Sequence, residues 1–127
     1  MIRRGRYGDR MPIVTVTALP ADEPTVDRVL SRVVVDVAAA VGCPKGDVWV
    51  SYVPASAQHI GERRATPSEQ CPIVVMRGRV RDVDTVLAAL SAAASAVEAE
   101  LGVPAEDVWL QWIDVVSGRA YAGGGPI

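Results

Sequence analysis

Apolar residues along this chain follow two periods in turn, and the pair of periods occurs twice. Short β-branched runs, Ile13 to Thr17 and Ile73 to Met76, suit the pleat of a strand. Each gives way to apolar positions at helical spacing: Val26, Val29, Leu30, Val33, Val34, Val37 and Val41 in the first stretch, then Val86, Leu87, Leu90, Ala94, Val97 and Leu101 in the second. Asp22 and Asp82 stand just ahead of these segments as N-caps. Gly42 and Gly102 stand just behind them, each followed two residues later by proline. Val48 to Val53 and Val108 to Val116 then read as strands again. The pattern predicts two β-α-β units with parallel strands.

A shift of 60 residues lays one unit on the other without a gap. Pro12-Ile13-Val14 falls on Pro72-Ile73-Val74, and Asp47-Val48-Trp49 on Asp107-Val108-Trp109. Between 12–53 and 72–113 about 15 of 42 positions are identical, too many for chance, so the domain is a duplicated unit. The predicted fold class is α+β in two layers: a tandem β-α-β repeat giving a four-stranded sheet with two helices on one face, since right-handed crossovers pack that way. The other sheet face is then bare, although Val48 to Val53 carries large groups on both sides. Self-association is the expected cover. The joining segment, 54–71, is polar, holds the only histidine, His59, and is expected to be a long loop. Gly123-Gly124-Gly125 has neither the lysine nor the helix of a phosphate loop and reads as a flexible tail.

Length and charge narrow the picture. At 127 residues the chain suits one domain, taken as 11–127, with residues 1–10 an extension expected to be disordered or missing from the native protein. Four of the 13 basic residues, Arg3, Arg4, Arg6 and Arg10, lie in that extension. The remainder has nine basic against 14 acidic residues, an acidic body that argues against a nucleic-acid surface. No apolar run approaches the roughly 20 residues of a membrane span. The first residues lack a signal-peptide core, and Cys43 and Cys71 have no metal or redox spacing. A cytoplasmic protein is expected, without metal or cofactor and without a membrane partner.

Met11-Pro12-Ile13-Val14, followed by a helix, a Gly-x-Pro and a second strand, all duplicated, resembles the tautomerase superfamily. Its members begin Met-Pro and use the proline amine after methionine removal. The resemblance covers residues 11 to about 122, and is greatest to the fused-unit malonate semialdehyde decarboxylases, with the cis-3-chloroacrylic acid dehalogenases next. It implies a tautomerase/MIF-like fold and a homotrimer. The decarboxylase pattern of terminal proline, aspartate after the first helix and Arg-x-Arg ending the third strand falls on Pro12, Asp47, Arg77 and Arg79. The helix histidine of the dehalogenases is missing from Val37-Ala38-Ala39-Ala40, which disfavours hydrolytic dehalogenation.

The chemistry so implied is a cofactor-free isomerase or decarboxylase acting on a small keto or unsaturated carboxylate by tautomerisation, decarboxylation or hydration. Pro12 and Asp47 are the implied catalytic residues, and Arg77 and Arg79 the groups that bind an anionic substrate. A secondary amine of near-neutral pKa moves protons efficiently at working pH. An apolar pocket of Ile13, Val14 and Trp49 and the two arginines would each disfavour its cation. Planar fork donors also hold carboxylates and developing enolates. Each residue has a plainer role to set beside this. Asp107 repeats Asp47, as a structural turn residue would; Pro72 repeats Pro12; Arg81 continues the alternation of Arg77 and Arg79, as a solvated strand end would. The repeat equivalents of Arg77 and Arg79 are Thr17 and Leu19, so these arginines are not scaffold. His59 is expected to be exposed, and Trp112 and Tyr121 to pack.

With ten residues ahead of Met11, the nitrogen of Pro12 is a tertiary amide with no lone pair for a proton. Two other readings follow: a non-catalytic oligomer whose extension caps Pro12, or a biosynthetically recruited enzyme in which His59 or the arginines act instead.

Overall fold

The computed structural model describes residues 11–122 and 124–126. The expectation for residues 1–10 lies outside the described residues, as does Gly123 of the glycine run. Strand β1, Ile13–Ala18, leads to helix α1, Glu23–Val41, and strand β2, Trp49–Pro54; further on, β5, Ile73–Arg79, leads to α2, Val83–Leu101, and β6, Trp109–Val115. Short 3₁₀ turns, Lys45–Asp47 and Ala105–Asp107, precede the second strand of each unit. Both helices start and stop 60 residues apart, as the repeat predicts.

The helix ends follow from local chemistry. Asp22 accepts a hydrogen bond from the Thr25 N–H at 2.8 Å, and Asp82 one from the Thr85 N–H at 3.2 Å. Gly42 and Gly102 take the left-handed conformation that ends each helix, at φ of 75° and 72°. Valines 29, 33, 37 and 41 of α1 and Ala89, Ala93, Ala96 and Val97 of α2 are buried against Val14, Val16, Val74 and Met76 of the central strands. The alternation along those strands fixes which face the helices cover. Arg28 in the first half of α1 and Arg32 at its middle reach Glu100 at the end of α2 at 3.2 and 3.0 Å, as antiparallel helices allow.

The sheet order is β2-β1-β5-β6. Each unit contributes one parallel pair, and β1 and β5 join them antiparallel at the centre. Side chains facing away from the helices are open: Trp49 is 43% and Trp109 55% exposed, with Val53, Ile73 and Ile113 also exposed. No helix among the described residues is long and apolar enough to cross a membrane.

Two segments read from sequence as loop carry more structure than expected. In the joining segment His59–Ile60 (β3) pairs with Arg63–Arg64 (β4), followed by a 3₁₀ turn at Pro67–Glu69. Two glutamine amides pin it. Gln58 donates to the Cys71 carbonyl at 2.7 Å and accepts from the Cys71 N–H at 2.9 Å. Gln70, only 4% exposed, accepts from the Leu19 N–H at 2.8 Å and donates to the Pro67 carbonyl at 2.9 Å. Near the other end of the chain, Tyr121–Ala122 (β7) pairs with Gly125–Pro126 (β8), and the Tyr121 hydroxyl donates to the Gly124 carbonyl at 2.7 Å. A paired ribbon thus stands where a flexible tail was expected.

Candidate functional site

Strand register decides which of the sequence-predicted residues meet. Ile13 lies opposite Trp49 on one side and Arg77 on the other. Pro12 precedes Ile13, Asp47 lies two residues before Trp49, and Arg79 lies two beyond Arg77 at the end of β5, so all four share one end of the sheet. Pro12 is fully buried; its carbonyl accepts from the Trp49 N–H at 3.3 Å. It is joined by a cis peptide bond to Met11, itself 4% exposed. As an acylated, enclosed residue Pro12 has no basic nitrogen.

At this end a cavity of about 290 Å³ is lined by Gly42, Cys43, Pro44, Asp47, Arg79 and Arg81. Its volume is at the small end for ligand sites, which suits a compact substrate. Helix α1 supplies its wall through the αL turn at Gly42, the 3₁₀ turn presents Asp47, and the end of β5 presents Arg79. Arg77 and Pro12 do not line it; Arg77 is exposed on the open sheet face.

Two lining residues were not assigned to the site from sequence. Arg81, read there as part of a solvated strand end, donates from Nη1 to the carbonyl of Val41, the last residue of α1, at 3.3 Å. Cys43 sits beside it, and burial, reinforced by the Asp47 carboxylate, pushes its thiol pKa up against the opposing pull of Arg81. A protonated, weakly nucleophilic thiol results. No group of three or more potential metal ligands occurs among the described residues.

The repeat supplies an internal control. At the opposite end of the central strands Ile73 lies between Trp109 and Thr17, and Trp109 donates to the Pro72 carbonyl at 2.9 Å, repeating the Pro12 arrangement. Asp107 repeats Asp47, but Cys43, Arg79 and Arg81 are replaced by Val103, Leu19 and Ala21. Val103 and Leu19 are buried, and the backbone of Leu19 is closed off by Gln70 and by the Tyr52 hydroxyl, which donates to its carbonyl at 2.6 Å. The equivalent positions are thus charged and line a cavity at one end, and are apolar and buried at the other. A single signal could have found Arg81 and Cys43 in the sequence, namely the positions at which the two repeats differ in chemistry.

His59 is exposed and borders a separate depression of about 480 Å³ with Gln58, Ile60, Cys71, Ile73 and Trp109, at the opposite end of the sheet and away from Asp47 and Arg79. Trp112 packs across Gly78, and Tyr121 is exposed, so neither lines the charged cavity.

No family model matches the sequence, and no curated protein matches it. Solved structures do. A fused 4-OT described as an asymmetric trimer superposes with a TM-score of 0.83 at 13% identity, over 91% of this chain and 95% of that one. The chain has a tautomerase/MIF-like fold. Macrophage migration inhibitory factor from Toxoplasma gondii gives a TM-score of 0.77 at 19% identity, over 91% of this chain and 100% of its own. Another native fused 4-OT gives 0.79 at 20% identity, over 91% and 95%. At such identities the likeness is one of backbone, spanning both repeats and their order.

Proposed function

We propose that this tautomerase-fold protein is a cofactor-free acid–base enzyme of the tautomerase superfamily, acting on a small keto or unsaturated carboxylate, in a chain that begins at Pro12. The observation that carries the reading is the asymmetry between repeats: Arg79 joins Asp47 in a cavity at the Pro12 end, while Leu19 and Val103, the equivalents of Arg79 and Cys43, are apolar and buried. Arg79, helped by Arg77 two residues back on the same strand, holds the substrate carboxylate; Asp47 orients the amine or a water beside it; the Pro12 amine takes a proton from carbon and returns it, or protonates the enolate left by loss of carbon dioxide. Met11 is buried against Pro12, so its removal both frees the nitrogen and opens space next to it. The decarboxylase is the reaction favoured within this class, on the pattern of Pro12, Asp47, Arg77 and Arg79. The working form is a homotrimer, a reading supported by the open face bearing Trp49 and Trp109 and by similar folds described as trimers.

The burial of Met11 and Pro12 in a continuous chain favours a second reading, a ligand-binding oligomer in which the extension keeps Pro12 inert. Activity separates the two. Protein starting at Pro12 is expected to ketonise enol acids and decarboxylate a 3-oxo acid, and protein retaining Met11 is expected to do neither. Equal activity in both forms would exclude the proline amine as the base.

A further inference from the structure

We propose that Trp112 is a positioning residue for Arg79, holding the strand end from which that side chain enters the charged cavity; this rests on the reading of the cavity as the substrate site. Strand β5 runs to Arg79, but its ladder to β1 stops at the pair Ile13 and Arg77. Only β6 continues alongside, with Asp114 opposite Gly78 and Val115 opposite Arg79. A chain that begins at Pro12 has no residue of β1 to set opposite Arg79. The last two residues of β5 are therefore held by the sheet on one side alone, and an end of that kind frays unless side chains fix it.

On that side the fixing group is Trp112. Its ring lies so close to Gly78 that a Cβ there would collide with Cζ2 and Cη2, which leaves the indole against the backbone between Arg77 and Arg79. The indole N–H donates to the Asp114 carboxylate at 3.1 Å, which sets the orientation of the ring, and the ring packs on the core. Trp112 does not line the cavity, so it acts through the strand that it steadies. The other repeat supplies the comparison. There Tyr52 stands in the place of Trp112 and Ala18 in the place of Gly78. The Tyr52 hydroxyl donates at 2.6 Å to the carbonyl of Leu19, the counterpart of Arg79. In both units an aromatic side chain of the edge strand pins the end of the central strand beside it, by a hydrogen bond in the first and by contact with a glycine in the second. What the pinned end presents differs: a buried leucine in one, a cavity-lining arginine in the other.

Trp112→Leu and Trp112→Phe, made in protein starting at Pro12, test this. Tyr52→Leu, at the equivalent place in the other unit, is the control for lost packing. Trp112→Leu is expected to raise KM for a 3-oxo acid about tenfold with kcat within about twofold of the parent, as a misplaced binding group would and a lost base would not. Trp112→Phe, which keeps a ring beside Gly78, should recover most of that loss, and Tyr52→Leu should lower stability without moving KM. An unchanged KM in Trp112→Leu, or an equal rise in Tyr52→Leu, would overturn the proposal. If Trp112→Leu does not fold, Trp112→Met takes its place under the same criteria. A parent that turns nothing over would remove the reading of the cavity, and the Nε–H NMR signal of Arg79 in the full chain, assigned by its loss in Arg79→Lys, then decides the role of Trp112. Broadening of that signal in Trp112→Leu but not in Tyr52→Leu supports the role; a signal the same in both variants as in the parent overturns it.

Discussion

Gln70 shows how much of this fold rests on single polar groups. Its amide is enclosed and spans two segments, taking the N–H of Leu19 and giving to the carbonyl of Pro67. Replacing it with leucine fills the space but strands a buried N–H, so Gln70→Leu is expected to cost about 1–3 kcal/mol in urea unfolding. A change within the scatter of a surface substitution would mean that water reaches Leu19. The charged cavity is also decided residue by residue. Arg79→Ala is expected to raise KM for a carboxylate substrate about tenfold or more, the worth of a lost charge-assisted bond, with a smaller effect from Arg77→Ala, which lies outside the cavity. Asp47 entered the candidate site through the resemblance alone, and the 3₁₀ turn after α1 sets it in the cavity wall. Arg81 and Cys43 were not legible in the sequence, because only the antiparallel junction of β1 and β5 brings the end of one repeat to the helix terminus of the other.

At the level of elements, sequence periodicity carried further than it did for the connections. The helices, their aspartate caps and their glycine stops stand where spacing placed them, since each is fixed by contacts within a few residues. The ribbon of the joining segment depends instead on Gln58 clasping Cys71, a pairing across 13 residues with no local signature. Between the two arginines of β5, Gly78 has a role of its own. A Cβ there would come within 2.4 Å of the Trp112 ring, so Gly78→Ala must displace a half-buried tryptophan and is expected to destabilise the protein by about 1–3 kcal/mol. Unchanged stability would show that Trp112 can turn away freely. The helix caps make a prediction in pH. Hydrogen bonds from Thr25 and Thr85 hold the Asp22 and Asp82 carboxyls below the usual 3.8, so the folded state takes up protons less readily than the unfolded one. Their contribution is complete above that value and is lost as pH falls through the lowered ones. Asn at both positions still caps but does not titrate, so the double variant should lose less stability on acidification than the parent.

For the whole molecule, duplication explains both the regularity of the scaffold and the position of its chemistry. Two β-α-β units give one continuous sheet, helices to one side and an apolar face to the other; one end of the pair keeps Cys43, Arg79 and Arg81 while its counterpart has closed over Leu19 and Val103. The bare face, with its two exposed tryptophans, is the reason to expect self-association, and three copies is the proposed number. Equilibrium sedimentation should return three times the chain mass, and Trp109→Glu should lower it; a monomer mass for the parent protein would contradict the trimer. For Pro12 to work as an amine it must be the first residue, which the intact mass of the protein taken from its own cells reports. A chain whose first residue is Pro12 is expected. A mass that retains Met11 and the residues before it would leave Pro12 an amide, and acid–base catalysis by proline would have to be given up.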